Sequence, residues 1–584
     1  MLFQIRLRFL SFALFVGLLG LPGLLASCGS KGSQTEQTSS KNDTTVTDNT
    51  SGPEPRVDSV FVIRAMQANA RFKTQERWAR KFYRERDFRL GWFRQHKLVP
   101  QANTFLSVVA KAKDDGLDPK HYDTKQITDM LASLKSVGQD TARRNQLERK
   151  LDVTLSGSYF AWASDYYRGV ANPRDTKNEA WKVKRNKIKL DRALMTILRE
   201  RESTYPYYDF APLHPEYDHL KKALALLRAR QAAGGWPTLP GTTHLKPGDN
   251  LPVVDLLRQR LLGGEATGQT PATVAATAKP VNNITTPAST VYDPTLVAAV
   301  KNFQRDLGLP PTGLVVGETL RQLNVPIQAR INQVILNMER WRWLPKKFEP
   351  DYLLVNIPEY RLRVYEQGKE ALTMKVIVGK TLTATPVFSD KMEYVVLAPY
   401  WNVPYSIIDK ELRGKLVANP NYLDRLDMEV VKGYGRKATV IDPTTIDWAG
   451  VTQDNFKYTV RRRPGSKNDL GDVKFIFPNS NDIYLHDTPH DELFSQTKRS
   501  FSHGCVRVEE PIKLANYLLR NNPNWDLTSI QDTIAQHREK YITLKEKLPV
   551  YLVYLTAWAD ADGHAHFRDD IYGHDKALAK EYFE

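Results

Sequence analysis

SFSHGCVRVEEP, Ser500 to Pro511, holds Cys505, and the only other cysteine in the 584-residue chain is Cys28 near its start. Gly504 precedes this thiol, His503 lies two residues before it and His486 nineteen before it. A lone thiol in such company has the composition of a cysteine nucleophile with a nearby base. If Ser502 to Val508 is extended, alternation puts His503 and Cys505 on one face and Val506 and Val508 on the buried one. Glu509, Glu510 and Pro511 then read as a helix start, with Ile512, Ala515, Leu518 and Leu519 spaced as its core face.

Upstream, Lys474 to Phe477 reads as a strand, Pro478 to Asn481 as a turn, and Asp482 to His486 as the returning strand. Ile483 and Leu485 would face the core, leaving Tyr484 and His486 on the open face with the thiol. A thiol is only a few per cent ionised at neutral pH unless a neighbouring cation or backbone dipole favours the thiolate. His486 or His503 would supply that charge, and Arg507 adds positive potential. Gly504 permits close backbone approach, so the Gly504 and Cys505 amides would point at a developing oxyanion. Acyl transfer through a thioester follows from these groups. A purely structural cysteine would leave the histidines and the glycine unexplained. A zinc site from His486, His490, His503 and Cys505 lacks the short paired spacings of structural zinc ligands.

From Tyr352 onward the apolar period is two. LLVNI, RLRVYE with its Gln367-Gly368 turn, LTMKVIVG and EYVVLA read as strands, and Val550 to Ala557 adds a late one. These predict a mostly antiparallel sheet, closed or packed into a small β structure with helices appended. Tyr405 to Trp448 interrupts it with helical and loop character. Asp560, Asp562 and Gly563 read as a hairpin turn, because no further ligand follows at calcium-loop spacing.

The chain before Tyr352 has different texture. Arg6 and Arg8 precede an apolar run from Phe9 to Leu25, the pattern of a secretory signal, with an uncleaved membrane anchor as the alternative. Gly29 to Pro55 is polar and aperiodic, a flexible tether. From Val57 to Trp236 the spacing is helical, notably over Thr104 to Ala112, Leu147 to Ala163 and Tyr217 to Ala232, with aromatics that read as core. Asn250 to Pro326 is split by a low-complexity insert, and Leu251 to Leu262 and Val291 to Leu307 would bury each other's apolar faces. Ile327 to Leu344 is another helix, with Trp341 and Trp343 expected to pack against the next domain. The net charge of +17 would suggest nucleic acid in a cytosolic protein. Export makes a carboxylate-bearing surface outside the inner membrane the better partner.

His486, fifteen intervening residues, and then Ser502-His503-Gly504-Cys505 resemble the signature of the L,D-transpeptidases. Most members place Asn two residues after the cysteine; Arg507 resembles instead the large multidomain branch, whose motif ends in Cys-Val-Arg-Val. Arg462 to Asn479, YLHDTP at Tyr484, YWNVPYSI at Tyr400 and FRDDIYGHD at Phe567 are similar to that branch in the same order. GLDPKHY at Gly116 and GWPTLP at Gly235 resemble its helical scaffold, and Ala299 to Gly313 resembles the three-helix peptidoglycan-binding domain. The LASC ending at Cys28 resembles a bacterial lipobox, which implies cleavage before Cys28 and its lipidation.

The resemblance implies a multidomain α+β fold. Its expected parts are a signal peptide (1–27), a tether (28–55), a helical scaffold domain (56–249) and a peptidoglycan-binding-like domain (250–326, insert 263–290). A linking helix (327–349) leads to a mostly β catalytic domain (350–584), with a capping subdomain about 405–448 that would exclude water. By resemblance Cys505 is the nucleophile, His486 the general base and His503 an auxiliary. Tyr484 helps the oxyanion site, Arg507 positions substrate or braces the loop, and the Asp487 carbonyl orients the imidazole. The implied reaction is formation of 3-3 crosslinks between peptidoglycan tetrapeptide stems with release of D-alanine. The alternatives are L,D-carboxypeptidation or protein attachment by the same acyl-enzyme, or a non-catalytic wall-binding lipoprotein. No cofactor or metal is implied. The expected setting is the periplasm, with a lipid anchor in a membrane and no nucleic-acid partner. An activated thiol of this kind would also be acylated by carbapenems.

Overall fold

In this computed structural model the described residues are 54–173, 183, 186–199, 207, 213–263, 289–433 and 435–584. The expected signal peptide, Cys28, most of the tether, and residues 264–288 of the insert lie outside them. The architecture is α+β.

The period-two segments form a nine-stranded sheet. Its strands are β1 (Tyr352–Asn356), β2 (Arg361–Glu366), β3 (Lys369–Gly379), β4 (Phe388–Leu397), β5 (Val473–Ile476), β6 (Leu485–His486), β7 (Ser500–Ser502), β8 (Val506–Val508) and β9 (Lys540–Val553). They are ordered β7-β3-β8-β6-β5-β4-β9-β1-β2, and β2 also pairs with β3, so the sheet closes on itself with β7 left at the edge. The β6–β8, β1–β9 and β3–β7 pairs are parallel and the others antiparallel. The late strand is longer than expected: it begins at Lys540 and carries an irregularity between Thr543 and Leu548. Its first half is mostly charged and exposed, with only Ile542 and Leu544 turned into the core, so its apolar signal is thin.

Between β4 and β5 the chain builds a second, four-stranded sheet of Trp401–Asn402, Thr459–Arg462, Met428–Lys432 and Thr439–Ile441, in that order. It has its own core around Ile408, Leu416, Trp448 and Val460. This subdomain is wider than 405–448, because its flanking strands, of two and four residues, are too short to show a periodicity.

The helical region is built on Thr141–Arg168, whose residues from Leu151 to Tyr167 are all buried. The next unit packs Val253–Leu262 against Pro294–Asp306 through Val254, Leu257, Leu296 and Val300. Buried Gln304 donates to Thr312 Oγ1, Leu314 O and Thr319 Oγ1, and accepts from the Gly313 N–H at 2.9 Å. The side chain thus holds the turn where Gly313 takes φ +75°.

Ile327–Trp343 links these parts, and one continuous apolar core runs from Trp162 through Ile335 to Leu353. Its tryptophans face both ways: Trp341 stacks on His214 with centroids 4.5 Å apart and meets Phe348, which stacks on Tyr551 of β9, while Gly169 leaves no room for a Cβ beside Trp343. The same helix buries charge. Arg342 pairs with Glu339 at 2.9 Å and donates to Tyr217 Oη at 2.8 Å, while Glu339 accepts from the Ala171 N–H. Arg340 pairs with Asp575 at 2.5 Å, on the C-terminal helix His574–Phe583.

Candidate active site

Register places the chemistry. Lys474 on β5 is opposite His486 on β6, which is opposite Arg507 on β8. Cross-strand partners share a face, so these three form one polar row. Phe475, Leu485 and Val506 form the neighbouring row, and all three are fully buried. Cys505 and Tyr484 each come one residue before this row and sit side by side. The Val506 N–H donates to the Tyr484 carbonyl at 3.2 Å, and the Tyr484 ring lies 5.7 Å from the His486 ring, centre to centre. The thiol itself points toward the Asp482 carbonyl, 3.8 Å away.

The segment around the thiol is not one extended strand. β7 ends at Ser502 and β8 begins at Val506, because Gly504 takes φ +119°, a conformation that a side chain would strain. The turn breaks the alternation that would have put His503 beside Cys505. His503 is exposed, whereas Cys505 is half-buried against the core. Ser502 closes the turn, its hydroxyl donating to the Cys505 carbonyl at 2.5 Å and accepting from the Gly504 N–H at 3.1 Å. The Gly504 amide, expected to face an oxyanion, is therefore already engaged. The Cys505 N–H makes no hydrogen bond among the described residues.

His486 is buried, and its Nδ1 lies 2.5 Å from the Asp487 carbonyl. A carbonyl only accepts, so Nδ1 carries the proton and Nε2 keeps its lone pair. Burial, reinforced by the positive charge of Arg507, pushes the imidazole down to about 3, so it is neutral at physiological pH. The Asp487 carboxylate accepts from the Asp472 and Thr488 amides, each at 2.7 Å, while burial raises it to about 6. Gly471, at φ +57°, passes so close that a Cβ there would collide with this carboxylate.

Burial likewise raises the Cys505 thiol, against the lowering effects of Tyr484 and Lys474. The resting pair is thus neutral thiol and neutral imidazole, unlike the preformed ion pair that the sequence suggests. Lys474 is the cation nearest in effect, and nothing in its strand pattern singled it out. Its ammonium lies 3.8 Å from the Tyr484 ring centre, and burial lowers its pKa. Among the described residues, the buried Arg507 Nε has no hydrogen-bond partner.

Further supports come from outside the motif. Thr385 Oγ1 donates to the Gly504 carbonyl at 2.7 Å, and the Thr385 N–H donates to Tyr572 Oη at 3.3 Å. Tyr572 in turn donates to the Gly379 carbonyl at the end of β3, at 2.7 Å. The FRDDIYGHD stretch therefore braces the cysteine turn from below. Among the described residues, His486, His490, His503 and Cys505 do not gather as metal ligands.

Three family models match the chain. Residues 350–530 match the L,D-transpeptidase catalytic domain, 77–224 a scaffold domain, and 281–323 a domain described as "Putative peptidoglycan binding domain". A relative from Haemophilus influenzae, described as "Putative L,D-transpeptidase", is 36% identical over 246 residues, which cover 42% of this chain and 48% of the relative. The matched part thus spans about half of that relative's length. A solved chain titled "Structure of the Ldtfm-avibactam carbamoyl enzyme" is 11% identical over 39% of this chain and 64% of its own, with a TM-score of 0.15, too low to carry an argument.

Proposed function

We propose that this chain, which carries an L,D-transpeptidase catalytic domain with scaffold and peptidoglycan-binding-like domains before it, is an exported enzyme that crosslinks peptidoglycan stems through a thioester on Cys505. The observation that best supports this reading is a buried, neutral His486, tied at Nδ1 to the Asp487 carbonyl, on the strand paired with the one that Cys505 leads into. Lipidation at Cys28 and anchoring to a membrane belong to the same proposal. Among the described residues no helix is long and apolar enough to cross a membrane.

In this mechanism His486 Nε2 takes the thiol proton as sulfur attacks the carbonyl of the third stem residue. The oxyanion is met by the Cys505 N–H and the Tyr484 hydroxyl. Collapse expels D-alanine, whose amine takes the proton from His486 and leaves a thioester. A side-chain amine from a neighbouring stem then attacks, gives its proton to His486, and the thiolate departs. Because the resting thiol is neutral, proton transfer accompanies attack rather than preceding it. Lys474 and Arg507 supply positive potential for the negative charge that appears on sulfur and oxygen, or for a stem carboxylate. His503, exposed on the turn, is assigned to substrate contact.

The test is incubation of the full chain with disaccharide tetrapeptide and mass spectrometry of the products. Tripeptide–tetrapeptide dimers linked 3-3, with free D-alanine, are expected. Tripeptide alone would replace crosslinking by L,D-carboxypeptidation, and binding without turnover would favour a wall-binding role. A carbapenem is expected to add one covalent adduct, on Cys505.

A further inference from the structure

A second group of chemically capable side chains lies where the Pro294–Asp306 helix meets the hairpin of Ala557–Ala559 and Ala565–Phe567. Asp306 closes the helix. Its Oδ2 is 2.8 Å from His564 Nε2, and its Oδ1 is 3.4 Å from His566 Nδ1. All three ligand atoms lie within 4.8 Å of one another. The hairpin turn at Asp560 to Gly563 brings the histidines here, and their alternate positions aim both rings at the same carboxylate. The two rings are nearly perpendicular, at 82°.

We propose that Asp306, His564 and His566 bind a divalent transition-metal cation of the zinc type, joining the peptidoglycan-binding-like unit to the catalytic domain. Two imidazoles and one carboxylate suit zinc, and three protein ligands leave a fourth position for water. Ligands on one tetrahedral zinc stand about 3.3 Å apart, given bonds of about 2.0–2.1 Å. The Oδ1–His566 separation is close to that spacing and the Oδ2–His564 one about half an ångström short of it, so a zinc held by both rings takes the two carboxylate oxygens together, or one of them after the carboxylate turns.

The ligands are held in place by other groups. The Trp558 ring stacks on His566 with an interplanar angle of 16°, and Asp560 Oδ1 accepts from the His564 backbone N–H at 2.9 Å. The charged groups facing the cluster are Asp306, Asp560 and Arg568, so with neutral imidazoles one negative charge is in excess. Arg568 opposes a cation, but its Nη1 is engaged by the Asp306 and Phe567 carbonyls, at 2.7 and 2.8 Å. The C-terminal end of the helix favours a cation at Asp306. His564 is exposed, so an ion reaches the cluster directly from solvent. On metal binding each ring yields the proton on its liganding nitrogen, moving it to the other nitrogen if neutral or to solvent if charged. Affinity therefore falls with pH.

The experiment is calorimetric titration of the chelator-treated full chain with Zn²⁺, beside Cys505→Ala, His564→Gln, His566→Gln and Asp306→Asn, with melting curves in chelator to verify folding. One ion per chain is expected for wild type and Cys505→Ala, weakened at least about tenfold in each of the other three. Zn²⁺ should also raise the melting temperature of wild type but not of His564→Gln, whose exposed ring is dispensable for folding. No stoichiometric binding by wild type would overturn the proposal. So would binding that survives His564→Gln and His566→Gln, or that disappears with Cys505.

Discussion

On the 327–343 helix two buried cations meet carboxylates, Arg342 with Glu339 and Arg340 with Asp575. Around Cys505 the arrangement is reversed: Lys474 rests on an aromatic ring, neither Lys474 nor Arg507 forms an ion pair among the described residues, and the nearby thiol and imidazole are neutral. Paired charge fixes how two parts of a chain dock, because removing either partner strands the other in a poor solvent. Positive charge held beside neutral groups is a standing cost that becomes favourable only when an anion forms. The linking helix is thus organised for the resting protein, and the catalytic corner for a state not yet present.

Cys505→Ala should separate the two regions most sharply. It should abolish turnover, a loss of about 10⁴-fold or more for a nucleophile, and leave the melting temperature close to wild type. A comparable loss of stability would show that the corner is structural. His486→Gln should cost about 10²–10⁴-fold in turnover, as expected for a general base, with the cysteine still alkylatable. Arg342→Ala should do the opposite. Leaving Glu339 buried and unpaired should cost about 3–5 kcal/mol of stability, read by urea unfolding, while the rate per folded molecule stays near wild type.

Lys474→Met should have the smallest effect and the most pointed one. Turnover and alkylation should fall by about tenfold or less, a loss near 1.4 kcal/mol, while stability holds or rises as a buried cation is removed. A matching fall in stability would place Lys474 with the structural charges. The pH dependence sharpens the same contrast. With the thiol raised and His486 neutral down to about 3, alkylation of Cys505 should climb through neutral pH and continue past the ordinary thiol range of about 8.5. A plateau between pH 6 and 8 would mean a preformed thiolate–imidazolium pair.

Much of the fold was legible because a strand such as Arg361–Glu366 alternates over a buried face, and the turn at Gly313, within the stretch Ala299 to Gly313, is held by one buried glutamine, Gln304. Part of the site's placement was legible: Tyr484 and Cys505 sit at the starts of the paired strands β6 and β8, and the Asp487 carbonyl meets the His486 imidazole. Other features left no local signal. The turn at Gly504 engages its own amide and swings His503 outward, which depends on a dihedral angle and not on composition. Lys474 enters only through cross-strand register, and Thr385 and Tyr572 only through contacts between distant segments. The backward contacts of the linking helix's tryptophans, with His214 and Gly169, join segments far apart in the chain and leave no local signal.

The most direct test of the account is rapid-quench intact-mass analysis of the full chain mixed with disaccharide tetrapeptide. The account predicts an adduct on Cys505 with the mass of the stem less D-alanine, forming faster than crosslinked product and absent in Cys505→Ala. Crosslinked product or released D-alanine from the Cys505→Ala chain, or turnover with no adduct at any time, would contradict it.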